Sequence, residues 1–218
     1  MLRRQKTESK TAGSERRRGL LLPCAALLLI FVLLSYILAG TINSLFEGIL
    51  GEKAQAELEA PFVEEFLKPL GLVVLTIVIT RAKRIGRAGI GWLRSIKAYY
   101  AIGYASGLVF GLLENWLSYE KFSGLRAIAP FSHALGAGMV GVGIYYVLTR
   151  GKGGMGRFAF LYSVAVLLHF AWNNISDARA VLGVSETIIG LAAFLFFILP
   201  EFGRRPSRAK RHRSDRQA

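Results

Sequence analysis

Five side chains able to move a proton or hold a cation fall within long apolar stretches: Glu64, Glu65, Glu114, His133 and His169. Lys68 follows the two glutamates at helical spacing, so its ammonium can pair with either carboxylate. Asn173 lies one turn beyond His169, and Asn115 is next to Glu114. Amide hydrolysis needs a base that deprotonates water and a donor or cation that meets the developing oxyanion. Glu64 or Glu65 can supply the base. His133, His169 and Glu65 together form the donor set of a catalytic zinc site with a position open for water. Without a metal, protonated His169 and Asn173 would hold the oxyanion. No HExxH spacing is present, and the residue types suit a zinc mechanism and a metal-free glutamate mechanism alike.

The elements that carry these groups belong in a membrane. The chain has 218 residues, 53% hydrophobic and only 19% charged, with mean hydropathy +0.41 and net charge +14. Charge and apolar residues are segregated along the sequence, and the apolar runs are about 20 residues long, enough to cross roughly 30 Å of hydrocarbon. A soluble fold is excluded. Six spans are expected, at about 19–40, 61–80, 99–118, 128–149, 158–174 and 184–202. They make an all-α polytopic bundle over 19–203, between a disordered basic arm (1–18) and a basic tail (204–218). The single cysteine, Cys24, excludes a disulfide framework.

Positive charge sets the orientation. Of the lysines and arginines outside the spans, 23 fall in segments 1–18, 81–98, 150–157 and 204–216, and four (Lys53, Lys121, Arg126, Arg179) fall in the alternate connections. Both termini are therefore expected in the cytoplasm, with the first span a retained signal anchor. Beside a membrane span, the basic tail is expected to meet anionic lipid and not nucleic acid. In the first outer connection, 41–60, Ile42, Leu45, Phe46, Ile49 and Leu50 trace one apolar helix face, and Ser44 and Glu47 have capping-box spacing. This reads as an amphipathic helix lying in the outer interface.

With that topology the ionisable groups share a depth. Glu64 and Glu65 lie about one turn inside the outer end of the second span, and Glu114 lies a similar distance from the outer end of the third. His133 and His169 lie about 7 Å down the fourth and fifth, at a rise of 1.5 Å per residue. Gly103, Gly107 and Gly111 form a stripe for close helix approach, and Glu114 projects from the same face. Pro69 cannot donate to the carbonyl of Glu65, which predicts a kink beside the acidic pair. Glu186 and Glu201, at the ends of the sixth span, are expected to reach water.

Glu64 to Lys68 reads EExxK, Phe110 to Glu114 reads FxxxE followed by Asn115, and His169 to Asn173 reads HxxxN. With His133 on the intervening span, this order resembles the PrsW family of intramembrane proteases, over roughly residues 60–175. That family is related to the CAAX prenyl endopeptidases and bacteriocin-immunity membrane proteins, whose motifs are EExxxR, FxxxH and HxxxN. The lysine spacing and Glu114 depart from the larger group's pattern and point towards PrsW. The resemblance implies an endopeptidase cutting membrane-associated protein substrates near the outer surface, by a metal-dependent or a glutamate-dependent mechanism.

Two other classes compete. Intramembrane Glu, His and Lys also build the proton relays of cation-coupled transporters, but here the groups share one level and no internal repeat is visible. A non-enzymatic membrane partner that keeps the fold is the other. A bis-histidine haem on His133 and His169 ranks last, because three carboxylates at that depth suit a haem edge poorly.

Overall fold

The computed structural model describes residues 2–81, 95–117, 124–174, 181, 183–190 and 192. The regular elements among them are helical: α1 (Leu2–Leu50), a short α2 (Glu52–Ala54), a π-helical turn (Gln55–Glu59), α3 (Ala60–Leu67), α4 (Leu70–Arg81), α5 (Ile96–Leu117), a 3-10 turn (Gly124–Ala127), α6 (Ala129–Arg150) and α7 (Lys152–Asn174). Among the described residues, four stretches are long and apolar enough to cross a membrane: Pro23–Leu50 within α1, then α5, α6 and α7. The chain is thus an all-α membrane-spanning bundle. The tail 204–218 and most of the sixth expected span lie outside the described residues, although 183–190 is helical.

One expectation is corrected at the N-terminal side. The backbone of α1 is helical from Leu2. Arg, Lys, Glu and Gln are good helix formers, and no proline interrupts the run before Pro23. The interfacial helix expected at 41–60 does not exist as a separate element. Nothing breaks the helix until Gly51, whose φ of 80° ends α1 in the left-handed region open to glycine. Ser44 and Glu47 sit inside α1, where capping chemistry has no helix end to serve. Leu45, Ile49 and Leu50 are exposed, as side chains facing lipid would be, while Asn43 and Glu47 line the interior cavity described below.

The second expected span is one run with a break. Pro69 parts α3 from α4 beside the acidic pair, as its missing N–H demands. Lys68 N–H still donates to the Glu64 carbonyl at 2.8 Å, and Val73 N–H resumes the ladder on the Pro69 carbonyl at 3.1 Å. At the break, the buried Ser106 hydroxyl of α5 donates to the Lys68 carbonyl at 2.6 Å. Ser106→Ala is therefore expected to lower stability by about 1–2 kcal/mol, because a buried carbonyl loses its partner. Thermal unfolding in detergent reads the change; an unaltered midpoint would mean the kink does not depend on this bond.

The tightest helix pair is α5 against α6. A Cβ added at Gly103 would collide with the Ala137 carbonyl oxygen, and one at Gly107 with the His133 carbonyl oxygen. At Gly111 it would lie 2.7 Å from both Pro130 Cα and His133 Cδ2. The glycine stripe thus seats α5 directly on the turn of α6 that carries His133, an approach only Cβ-free positions permit. Elsewhere α1 packs Val32 and Ala39 against Leu67 and Phe110, while Leu72 and Leu75 of α4 pack on Tyr99 and Ile102.

Candidate active site

The kinked α3 places Glu64 and Glu65 on different sides of one turn. Glu65, fully buried, accepts from Lys68 Nζ at 2.6 Å, and the same Oε1 lies 3.1 Å from His169 Nδ1. Lys68 Nζ lies 3.5 Å from the same Nδ1, so the lysine, the carboxylate and the imidazole form one buried triad. Space for this carboxylate comes from Gly136, where an added Cβ would be 2.5 Å from Glu65 Oε2. Lys68 has no solvent exposure. Its Nζ also lies 3.6 Å from Glu64 Oε2 and 5.2 Å from the centre of the Phe110 ring.

Glu64 turns the other way. Its Oε1 accepts from Asn43 Nδ2 of α1 at 3.1 Å. Its Oε2 is buried, has no hydrogen-bond donor, and lies 3.9 Å from His169 Nε2. Across the site, His133 Nε2 meets Glu114 Oε2 at 2.8 Å. The two imidazoles stand edge to face, with ring centres 5.2 Å apart. Ligand atoms of Glu64, His133 and His169 all lie within 4.8 Å of one another.

These groups form the floor of a cavity of about 850 Å³. Glu64, Glu114, His133, His169 and Asn173 line it, together with Asn43 and Glu47 of α1 and Glu52, Lys53 and Glu57 of the following turn. Glu65 does not line it. A much smaller void behind the histidines is bordered by Glu65, Ser132, His133 and His169.

The structure brings together every residue the spacing singled out except Asn115. The carboxylate grouped with both imidazoles is Glu64, however, and not the Glu65 expected in that place. Asn173 lines the cavity but donates to the Ala56 carbonyl at 2.9 Å, tying α7 to the π-helical turn over the site. Asn115 is buried away from the chemistry and donates to the Arg126 carbonyl at 2.6 Å, fixing the turn that enters α6. Glu186 corrects another expectation. It does not reach water: it is buried and accepts from Ser132, the neighbour of His133. Asn43 was missed because it belongs to a segment read as interfacial. The sequence signal for it was a polar amide at the outer end of the first apolar run.

Residues 18–199 match the family model described as PrsW family intramembrane metalloprotease. The chain belongs to the PrsW family. No curated protein and no solved structure matches it. The chain is therefore a PrsW-family intramembrane protease, with a buried Glu–His–His cluster of a kind that suits metal- or glutamate-based catalysis.

Proposed function

We propose that this PrsW-family chain hydrolyses a peptide bond of a membrane-associated protein held in the 850 Å³ cavity, with Glu64, His133 and His169 at the reacting water. One observation carries the reading. Glu64 Oε2, buried and without a hydrogen-bond partner, faces His169 Nε2 at 3.9 Å, and ligand atoms of Glu64, His133 and His169 lie within 4.8 Å of one another. A buried carboxylate oxygen so placed beside two imidazoles attracts a cation or a proton.

Zinc fits that donor set. Glu64, His133 and His169 would hold it, and when bound it would lower the pKa of a water and polarise the scissile carbonyl. Glu65 is the partner that fixes the ring of His169, the carboxylate–histidine pairing that supports metal ligands in general. Lys68 neutralises Glu65 and keeps it from competing for the water. Glu114, facing the cavity and bonded to His133, is the second carboxylate able to receive a proton and pass it to the leaving amine. Asn173 braces the turn above the substrate. In the metal-free alternative, Glu64 takes the proton from water directly and the imidazoles face the oxyanion.

The positive-charge bias supports six spans with both termini in the cytoplasm, so the cavity opens towards the outer surface. The acidic, imidazole-lined floor lies at one end of α3, α5, α6 and α7, as expected for a site that meets juxtamembrane segments. Among the described residues it does not continue as the ladder of groups a proton-coupled transporter needs.

Metal analysis of the purified chain tests the zinc version. About one zinc per chain is expected, lost from His133→Ala and His169→Ala but kept in Asn173→Ala. A stoichiometry near zero in protein that still cleaves would leave the glutamate mechanism in its place.

A further inference from the structure

The first helix contributes to the site although none of the sequence motifs lies on it. Asn43 of α1 reaches Glu64 across 21 residues of chain, with Nδ2 3.1 Å from Oε1. A carboxylate accepts and never donates, so the amide nitrogen has to face Glu64 and the amide carbonyl has to face away. That leaves Asn43 Oδ1 buried with no hydrogen-bond donor. The amide is arranged for the benefit of the glutamate and at a penalty to itself. Engaging Oε1 has a second consequence: it fixes the carboxylate so that Oε2 points at His169 Nε2 and Lys68.

We propose that Asn43 is a positioning residue that holds Glu64 with its Oε2 turned to the two imidazoles. The inference rests on the hydrolase reading of Glu64 given above. Asn43 acts through Glu64 and does not touch the reacting water. Its loss should lower kcat while leaving KM near the wild-type value. Stability should change little, because the lost bond to Glu64 is offset by removal of an unpartnered buried carbonyl.

The test uses the full chain in detergent micelles, with a single-span membrane reporter as protease substrate and Co2+ as metal probe, for wild type, Asn43→Leu, Asn43→Asp and Glu64→Gln. Asn43→Leu removes the donor and Asn43→Asp replaces it with a second carboxyl group facing Glu64 Oε1, so both Asn43 variants are expected to lose about 10–100-fold in kcat and in Co2+ affinity, the range found for partners of metal ligands. The unfolding midpoint of Asn43→Leu should stay within about 4 °C of wild type. Wild-type kcat and Co2+ affinity in both Asn43 variants, beside an inactive Glu64→Gln, would overturn the proposal and leave the protease reading standing. A fall in activity matched by a much larger fall in midpoint would make Asn43 merely structural and also overturn it. Retained activity in Glu64→Gln, or neither cleavage nor Co2+ binding by wild type, would remove the role of Glu64 and the proposal with it.

Discussion

Glu64→Gln is expected to reduce proteolysis by about 10²–10⁴-fold while the protein still folds and inserts. Glutamine matches the shape of glutamate but cannot take a proton from water and binds a metal ion poorly. Asn43 would then face an amide that can turn its oxygen towards the Nδ2 donor, so the local hydrogen bond survives. What is lost is the charge on Oε2, the atom 3.9 Å from His169 Nε2. Glu65→Gln should behave differently. Glu65 contacts Lys68 and His169 Nδ1 and is absent from the cavity wall, so its replacement should destabilise the protein as well as slow the reaction. Cleavage of a single-span reporter, with unfolding followed in parallel, separates the two. Full activity in Glu64→Gln together with a well-folded but inactive Glu65→Gln would exchange their roles.

That pair marks where sequence reasoning stops. EExxK places two acids and a lysine on one helical stretch, and depth estimates from the span ends bring five ionisable groups on four helices to one level. Both were legible because the period of a helix and the thickness of a membrane are fixed. Which of two adjacent glutamates meets the imidazoles depends on the rotation of α3 against α7. Side chains one residue apart point about 100° from each other, and the local pattern carries no mark of the neighbour's position. Pro69 announced the break, and Gly103, Gly107 and Gly111 announced the close approach of α5, because each acts through its own backbone chemistry. The segment 41–60 misled for the converse reason. An apolar stripe looks the same on a helix lying in the interface and on one rising through it, and only Gly51 distinguished them. Glu186 was assigned to water from its place near a span end, whereas α6 supplies Ser132 as its donor.

The largest effect on stability is expected at Lys68. Its ammonium is completely buried, 2.6 Å from Glu65 and 3.6 Å from Glu64, with the Phe110 ring at 5.2 Å. A buried lysine is tolerated only where its charge is matched, and here two carboxylates of one helical turn share it. Lys68→Met keeps most of the apolar packing of the stem but leaves those carboxylates with no cation between them. Removing one partner of a buried ion pair costs about 3–5 kcal/mol, so the variant should accumulate poorly and unfold at lower temperature. The decisive comparison is the double variant Lys68→Met, Glu65→Gln. It removes the nearer of the two uncompensated charges and should recover part of the lost stability, since the two side chains are in contact and their effects are not additive. Activity should not return, because His169 Nδ1 then loses the carboxylate that fixes its ring. A double variant as unstable as Lys68→Met alone would show that the lysine acts through packing and not through the charge of Glu65.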